Sequence, residues 1–325
     1  METIKAPQKR HARFHHPGVL YHVISKTAGG TFFLAPKRGI RDLCAGIVGK
    51  ALHNHPGLKL YGYAFMSNHI HLIASGSSIS IADFMAFVKR ELSRRLGIKY
   101  NFKGPKWQKR YTSTALPTPK SQQACLKYIL SQGVKENLVA HPFHWPGLHC
   151  AKHLSTGTTM PGQWLNSTAY KRAKRYQALR LNPKKIRKSA YYQPFSIPLS
   201  ALPHWEKLSQ QKKQIQIEKL IKEIVDEAKQ KRAQTKKKVL GIKKVIATSI
   251  HQRVEPPNPP WWQQRRRQIT AWASPRATET KRYLTLYYEF QTSFRSASTN
   301  FKNNVQATFP LGSWMPNSYC SPQAA

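Results

Sequence analysis

In the run Asn68-His69-Ile70-His71-Leu72, two histidines flank a single apolar residue. Alternate residues of a β-strand point to one face, so a strand here projects His69 and His71 together and turns Ile70 and Leu72 the other way. Paired imidazoles on an apolar backing can hold one divalent metal. Further on, Tyr128 and Gln132 stand four residues apart in Lys127-Tyr128-Ile129-Leu130-Ser131-Gln132. Such residues share one face of a helix, with an axial offset of about 6 Å. Leu126, Ile129 and Leu130 fall on the other side and would bind that helix to a sheet. If the helix abuts the histidine strand, the amide oxygen of Gln132 becomes a third metal ligand, with Tyr128 about one turn away.

Each of these groups has a chemical use. Imidazole and amide oxygen suit Mn²⁺ and tolerate Mg²⁺, with water and a substrate phosphate completing an octahedral shell. A cation so placed polarises a phosphate and neutralises charge building up on its oxygens. A tyrosine hydroxyl, with an ordinary pKa of about 10, becomes a nucleophile when metal and nearby cations favour the phenolate. In-line attack on a phosphodiester gives a covalent phosphotyrosine and a free 3′-hydroxyl. Taken singly, the parts have plainer explanations: a surface or structural histidine pair, a core tyrosine, an unremarkable glutamine. Their conjunction is what points to chemistry.

Strands and helices must bring these residues together, and the first ~140 residues alternate in a way that can do so. Val19 to Ser25 reads as a strand, and Gly29-Gly30 breaks it. Arg38 to His53 has the apolar spacing of a helix, with Ile40, Leu43, Cys44, Ile47, Val48 and Leu52 on one side. Leu58 to Phe65 is a second strand, and Ser67-Asn68 turns into a third, His69 to Ala74. Ser80 to Leu96 is a second helix with Phe84, Phe87, Val88 and Leu92 inward. Trp107 to Leu116 is a fourth strand, and Lys120 to Gln132 a third helix. The order β-α-β-β-α-β-α contains the split βαβ pattern of an α+β, ferredoxin-like antiparallel sheet with helices packed on one face. The other face is then free for a site.

Charge narrows the partner. Lys plus Arg number 54 against 13 for Asp plus Glu, a formal net charge of +41, while 40% of residues are hydrophobic. A folded chain this basic binds polyanions. Nucleic acid comes first, since no basic amphipathic anchor stands out and no apolar run is long enough to span a bilayer. Most of this charge is non-specific phosphate attraction that carries no sequence information. The four cysteines, Cys44, Cys125, Cys150 and Cys320, are scattered without C-x-x-C spacing and fit a reducing cytosol rather than a disulfide framework. The first ten residues lack the apolar stretch of a secretory signal.

The division expected is a basic arm over 1–17, a chemical domain over 18–140, a Pro/Gly/basic connector over 141–203 and a mainly helical basic region over 204–325. The connector would hold one short helix near Ser167 to Leu179, among basic pairs such as Lys171-Arg172 and Lys184-Lys185. Ile217, Leu220, Ile221, Ile224, Val225 and Ala228 form a helical stripe beyond it. Pro256-Pro257-Asn258-Pro259-Pro260 is a rigid break. Tyr283, Tyr287, Phe290 and Phe294 fall at helical spacing, where core packing is the plainer reading. Phe309 to Trp314 has the look of an ordered terminal segment.

Three stretches together resemble a known family: Tyr21-His22-Val23-Ile24-Ser25-Lys26-Thr27 with Gly29-Gly30, Tyr63-Ala64-Phe65-Met66-Ser67-Asn68-His69-Ile70-His71-Leu72, and Tyr128-Ile129 ahead of Asn137-Leu138-Val139. Over roughly Gly18 to Val139 the chain is similar to the single-tyrosine HUH transposases, the insertion-sequence-200-like enzymes and the REP-associated tyrosine transposases. The Met-x-Asn-His-hydrophobe-His string is the more specific part. The resemblance implies an HUH nuclease fold, a divalent metal, single-stranded DNA with hairpin ends and a 5′-phosphotyrosine intermediate. It makes His69 and His71 metal ligands, Tyr128 the nucleophile and Gln132 the third ligand. Two departures stand out: Ser67 replaces a common proline, and Gly133-Val134-Lys135 replaces an Asn-Pro-Val-Arg-like segment.

The expectation is therefore a Mg²⁺- or Mn²⁺-dependent single-strand DNA endonuclease and strand transferase, cytoplasmic and nucleoid-associated, monomeric or homodimeric. The rivals are a non-catalytic ferredoxin-like module that stacks bases on its sheet, and a structural ribonucleoprotein component recruited by charge. The first rival requires aromatics, not histidines, on the central strands. Candidate phosphate contacts are Lys89, Arg90, Arg94 and Arg95 on the second helix and Lys106, Lys109 and Arg110 by the fourth strand. Arg265-Arg266-Arg267 beside Trp261-Trp262 could pair and stack with unpaired bases. His141, His144, His149, Cys150 and His153 crowd a Pro/Gly-rich stretch, but their spacing matches no common zinc finger.

Overall fold

The computed structural model describes residues 12–179, 186–253, 270–274 and 276–313. Most of the basic arm, Lys184-Lys185, the proline break, Trp261-Trp262, Arg265 to Arg267, Trp314 and Cys320 lie outside the described residues.

Four antiparallel strands form the central sheet in the order β2-β3-β1-β4: β1 Leu20–Lys26, β2 Lys59–Phe65, β3 His69–Ser75 and β4 Thr112–Leu116. The first three match the expected strands closely. The fourth starts later than expected. Trp107 instead bridges to Thr27, and its indole N–H donates to Ser93 Oγ at 2.8 Å and to the Lys89 carbonyl at 3.1 Å. Register fixes what each face carries. Pairing of Ile24 with His71, His22 with Ile73 and Lys26 with His69 sets His22, His69 and His71 on one face of the two middle strands. The reverse face, including Val23, Ile70, Leu72 and Tyr63, is buried in one core with the inner sides of α1 (Ile40–Asn54) and α2 (Ser78–Lys99).

The third helix, α3, spans Pro119–Leu130. Its start is specified locally by proline in the first turn and by a capping box between Thr118 and Ser121. It crosses the histidine face. Gly62 of β2 permits this approach, since a Cβ there would meet Leu126 Cδ1 at 3.0 Å. The helix ends at Leu130, two residues short of expectation, so Gln132 lies in the turn that follows.

The stretch 141–203, expected to be a connector, holds more structure than that. Besides a short helix, α4 (Ala151–Thr156), and the expected helix, α5 (Ser167–Ala178), it carries a hairpin of β5 (Met160–Leu165) and β6 (Tyr192–Ile197). This hairpin lies directly on α1: a Cβ on Gly46 would stand 2.1 Å from the Gln163 carbonyl oxygen, and one on Gly162 2.6 Å from Ala45 backbone. Only glycines let helix and strand backbones come so close.

Beyond it, α6 (Gln210–Thr235) buries Ile217, Leu220, Ile221 and Ile224, the stripe seen in the sequence. After the short α7 (Ile242–Ala247), α8 (Thr278–Lys302) buries Tyr283 and Phe290. Phe14 packs between these rings, and the Gln291 amide bonds both backbone groups of Ala12, so the two ends of the described chain meet.

Candidate active site

The four expected site residues converge. The His69 and His71 rings lie edge to face, 4.7 Å between centroids. The Tyr128 ring stands 5.4 Å from His71. Gln132 Oε1 lies 3.5 Å from His69 Nε2, and the Gln132 amide nitrogen donates to the Tyr128 carbonyl at 3.1 Å, which aims the oxygen at the histidine.

Hydrogen bonding shows what these atoms lack. His69 Nδ1 donates to Asn68 Oδ1 at 2.6 Å, so the proton of the neutral ring sits there and Nε2 presents a lone pair. At 3.5 Å, the separation from Gln132 Oε1 is that of two acceptors with no hydrogen between them. His71 Nδ1 is 2.9 Å from His22 Nε2, and His71 Nε2 is buried without a partner. With Nδ1–H donating to His22, the orphaned nitrogen is a third acceptor. In that tautomer two imidazole nitrogens and an amide oxygen lack a donor, a set that a divalent cation would satisfy. Among the described residues no group of three or more His, Cys, Asp or Glu side chains is placed to hold a metal, so a cation here needs the glutamine.

Electrostatics agree with this donor set. Burial, and then the Lys135 charge, pushes His22 down to about 4. Burial also lowers His69 to about 4, opposed by its Gln132 contact and reinforced by Lys26 and Lys135. His71 is held well below the ordinary range by burial and then by its histidine and lysine neighbours. All three rings are neutral at physiological pH, the form that ligates metal.

Around the phenol, Lys135 Nζ lies 3.6 Å from the centroid of the Tyr128 ring. The Tyr128 hydroxyl has no protein hydrogen-bond partner among the described residues. Trp272 closes the other flank, its ring 5.6 Å from Tyr128 and 5.7 Å from His22. Four of these neighbours went unassigned in the sequence. His22 had a signal, a lone polar ring among Leu20, Tyr21 and Val23 in an otherwise apolar strand. Lys26, Lys135 and Trp272 had none, because pairing and tertiary packing alone bring them here.

The expected phosphate contacts differ in what holds them. Arg94 and Arg95 both pair with Glu91, at 2.6 and 3.1 Å, and Arg95 also donates to the Leu165 carbonyl and stacks on Trp164. Arg95 thereby ties α2 to the hairpin, and Arg94 reaches Ser167 at the start of α5. Lys89 donates to the Lys109 carbonyl and Lys106 to the Phe102 carbonyl. Arg90, Lys109 and Arg110 remain exposed.

The fold thus places a histidine pair on a central strand of an antiparallel sheet with a tyrosine helix across it. Residues 21–132 match the family "Transposase IS200 like", to which this part of the chain is similar. Among solved structures, a REP-associated tyrosine transposase bound to a REP hairpin is similar at 16% identity, over 46% of this chain and 86% of that one, with a TM-score of 0.37. A candidate transposase from Deinococcus radiodurans R1 is similar at 18% identity, over 40% and 98% of the two chains, with a TM-score of 0.26. Neither likeness assigns a role to a residue. Among curated proteins, none matches this chain. No helix among the described residues is long and apolar enough to cross a membrane.

Proposed function

We propose that this chain is a divalent-cation-dependent endonuclease and strand transferase for single-stranded, hairpin-bearing DNA. Tyr128 is the nucleophile, and His69, His71 and Gln132 are the protein ligands of a Mg²⁺ or Mn²⁺ ion. One observation carries the reading: His69 Nε2 and Gln132 Oε1 stand 3.5 Å apart, the neighbouring His71 Nε2 is buried without a partner, and the Tyr128 ring adjoins His71. When bound, the cation would polarise the scissile phosphate and offset charge on its non-bridging oxygens.

The chain's own groups do the rest. His22 holds the His71 ring in the tautomer that frees Nε2, and Asn68 does the same for His69. Lys135 sets a positive charge beside the Tyr128 ring, where a substrate phosphate would approach, and the hydroxyl gives its proton to solvent as it attacks. The Tyr128 oxygen attacks phosphorus, a P–O bond to tyrosine forms, and the bond to the 3′-oxygen breaks. That oxygen takes a proton and leaves as a free 3′-hydroxyl, with the 5′-phosphate on tyrosine. Reversal by another 3′-hydroxyl joins strands.

The base-stacking alternative is disfavoured because histidines, not aromatic residues, occupy this face of the middle strands. A nicking assay on single-stranded hairpin DNA with Mn²⁺ or Mg²⁺ tests the proposal. The unsubstituted chain should form a covalent adduct at a discrete position. An adduct of equal yield from Tyr128→Phe would refute the nucleophile.

A further inference from the structure

Segment 270–274 lies outside the family-matched stretch, yet it builds one wall of the active face. The Ala115 N–H donates to the Thr270 carbonyl at 3.0 Å, and the Trp272 N–H donates to the Ala115 carbonyl at 2.8 Å. The segment therefore runs as a short parallel rung along the outer edge of β4. This seats the Trp272 indole against His22 and Tyr128 and leaves it 36% exposed. Beside it opens a cleft of about 490 Å³ lined by Lys120, Ser121, Ala271, Trp272, Ala273 and Ser274. Lys120 is exposed and forms no ion pair among the described residues.

We propose that this cleft is a nucleobase subsite: Trp272 stacks on one unpaired base flanking the phosphate attacked by Tyr128, and Lys120 takes a neighbouring phosphate. The volume is of the order that holds one small organic ligand. A partly exposed indole offers a π-face that accepts any base, as in single-strand binding proteins. Lys120 and Tyr128 are eight residues apart on α3, about 12 Å along its axis. A strand touching both passes Trp272. In a duplex each base face is already covered by its neighbour, so only an unpaired nucleotide can use this wall. The subsite rests on the reading of Tyr128 as a nucleophile toward single-stranded DNA, but its test needs no cleavage.

Binding of the full chain carrying Tyr128→Phe, with EDTA present, is measured on hairpin DNA with a single-stranded flank containing 2-aminopurine at successive positions. Quenching is expected at one position only. Adding Trp272→Ala should remove that quench and weaken flank-dependent binding roughly tenfold, within the range for losing one base–aromatic stack. Trp272→Phe should keep most of both. Lys120→Ala should weaken binding to all flanked substrates and lower the salt slope by about one. In the unsubstituted chain, 5-iododeoxyuridine at the quenched position should photocrosslink to Trp272, which serves even where Trp272→Ala does not fold.

An undiminished quench in Trp272→Ala, an equal loss on hairpins lacking a flank, or crosslinks only to other residues would overturn the subsite. So would faster cleavage by Trp272→Ala with unchanged binding, which would make the indole a plug. If adducts persist in Tyr128→Phe but the Trp272-dependent quench is present, the nucleophile assignment fails and the subsite stands. Normal adducts without that quench sink the subsite alone.

Discussion

Two parts of this chain are crowded with histidines, and they differ in what their ring nitrogens do. Around 141–153 every ring nitrogen with a recorded contact serves the fold. His149 is buried, with Nε2 donating to the Ile129 carbonyl at 3.2 Å and Nδ1 accepting from the Ala151 N–H at 3.1 Å. His153 contacts Thr158 Oγ1 and Met160 Sδ, and His141 accepts from the Phe143 N–H. The Cys150 thiol is buried and pushed up to about 12. This set, richer in potential zinc ligands by sequence, has no ring nitrogen that is buried without a partner. The sheet pair has only two histidines in sequence proximity, yet His71 Nε2 is orphaned and His69 Nε2 faces another acceptor. Unsatisfied valence, rather than the number of ligand-type residues, separates a candidate metal site from a structural cluster.

Substitutions should break the pair of regions apart. Tyr128→Phe is expected to abolish adduct formation, and His69→Ala or His71→Ala to lower cleavage by about 10³-fold or more, as for loss of a group that acts as part of a unit. DNA affinity should change little in either histidine variant, since phosphate charge dominates it. His149→Asn should leave cleavage by the folded protein near the unsubstituted rate. Gel assays of adduct yield beside anisotropy measurements of binding separate these outcomes. Cleavage lost equally in His149→Asn and His71→Ala would erase the distinction.

Metal linkage sharpens it. A site that binds Mn²⁺ only in the folded state raises stability by about 2.7 kcal/mol at a hundredfold excess over Kd. Thermal melts should show such an Mn²⁺-dependent rise for the unsubstituted chain and His149→Asn, and none for His71→Ala. His22→Ala should fall between, with cation affinity reduced about 10- to 100-fold through loss of the group that orients His71. An unchanged Mn²⁺ midpoint in His22→Ala would remove its orienting role.

Much of this candidate site is legible in the sequence. Period-two alternation placed His69 and His71 on one face, and the i, i+4 spacing linked Tyr128 to Gln132, because both patterns follow from local geometry. The helix stopped at Leu130 rather than Gln132, but the glutamine still reaches back to the Tyr128 carbonyl. The β5–β6 hairpin is not legible in the sequence, since Pro161, Gly162 and Pro194 are turn-like residues whose use in a two-stranded edge depends on the backbone of α1. Arg94 and Arg95, candidate phosphate contacts by sequence, both pair with Glu91, three and four residues earlier on the same helix face. Trp272 was invisible as a site residue: only the rung along β4, more than 150 positions away in sequence, delivers it.

Acid should destabilise the protein through the structural histidines. Burial lowers His149 to about 4, while the unfolded chain titrates near 6.5. As pH falls through 6.5 the unfolded state binds the proton first, so stability is lost between about 6.5 and 4 and is fully present above. One such group is worth up to about 3 kcal/mol across that window. Buried His15, lowered to about 3 by burial and then by Arg13, extends the loss to more acid pH. Denaturant midpoints from pH 7 to 4.5, taken with EDTA, should fall, and less steeply in His149→Asn. An identical slope in that variant would place the proton uptake elsewhere.

The smallest effect concerns how the tyrosine helix is held. Lys127 of α3 pairs with Glu223 and Glu227 of α6, at 2.8 and 2.7 Å, spending two of only 13 acidic residues in the chain on one lysine. These ion pairs are solvent-accessible, so each is worth about 1 kcal/mol or less. Apolar burial of Ile217, Leu220, Ile221 and Ile224 does most of the anchoring of α6. Glu223→Gln with Glu227→Gln should therefore lower the melting temperature by only a few degrees, less at high salt, and leave the adduct yield within about twofold. A loss of adduct approaching that of His71→Ala, at unchanged stability, would mean that α6 sets the position of Tyr128 through charge rather than merely backing it.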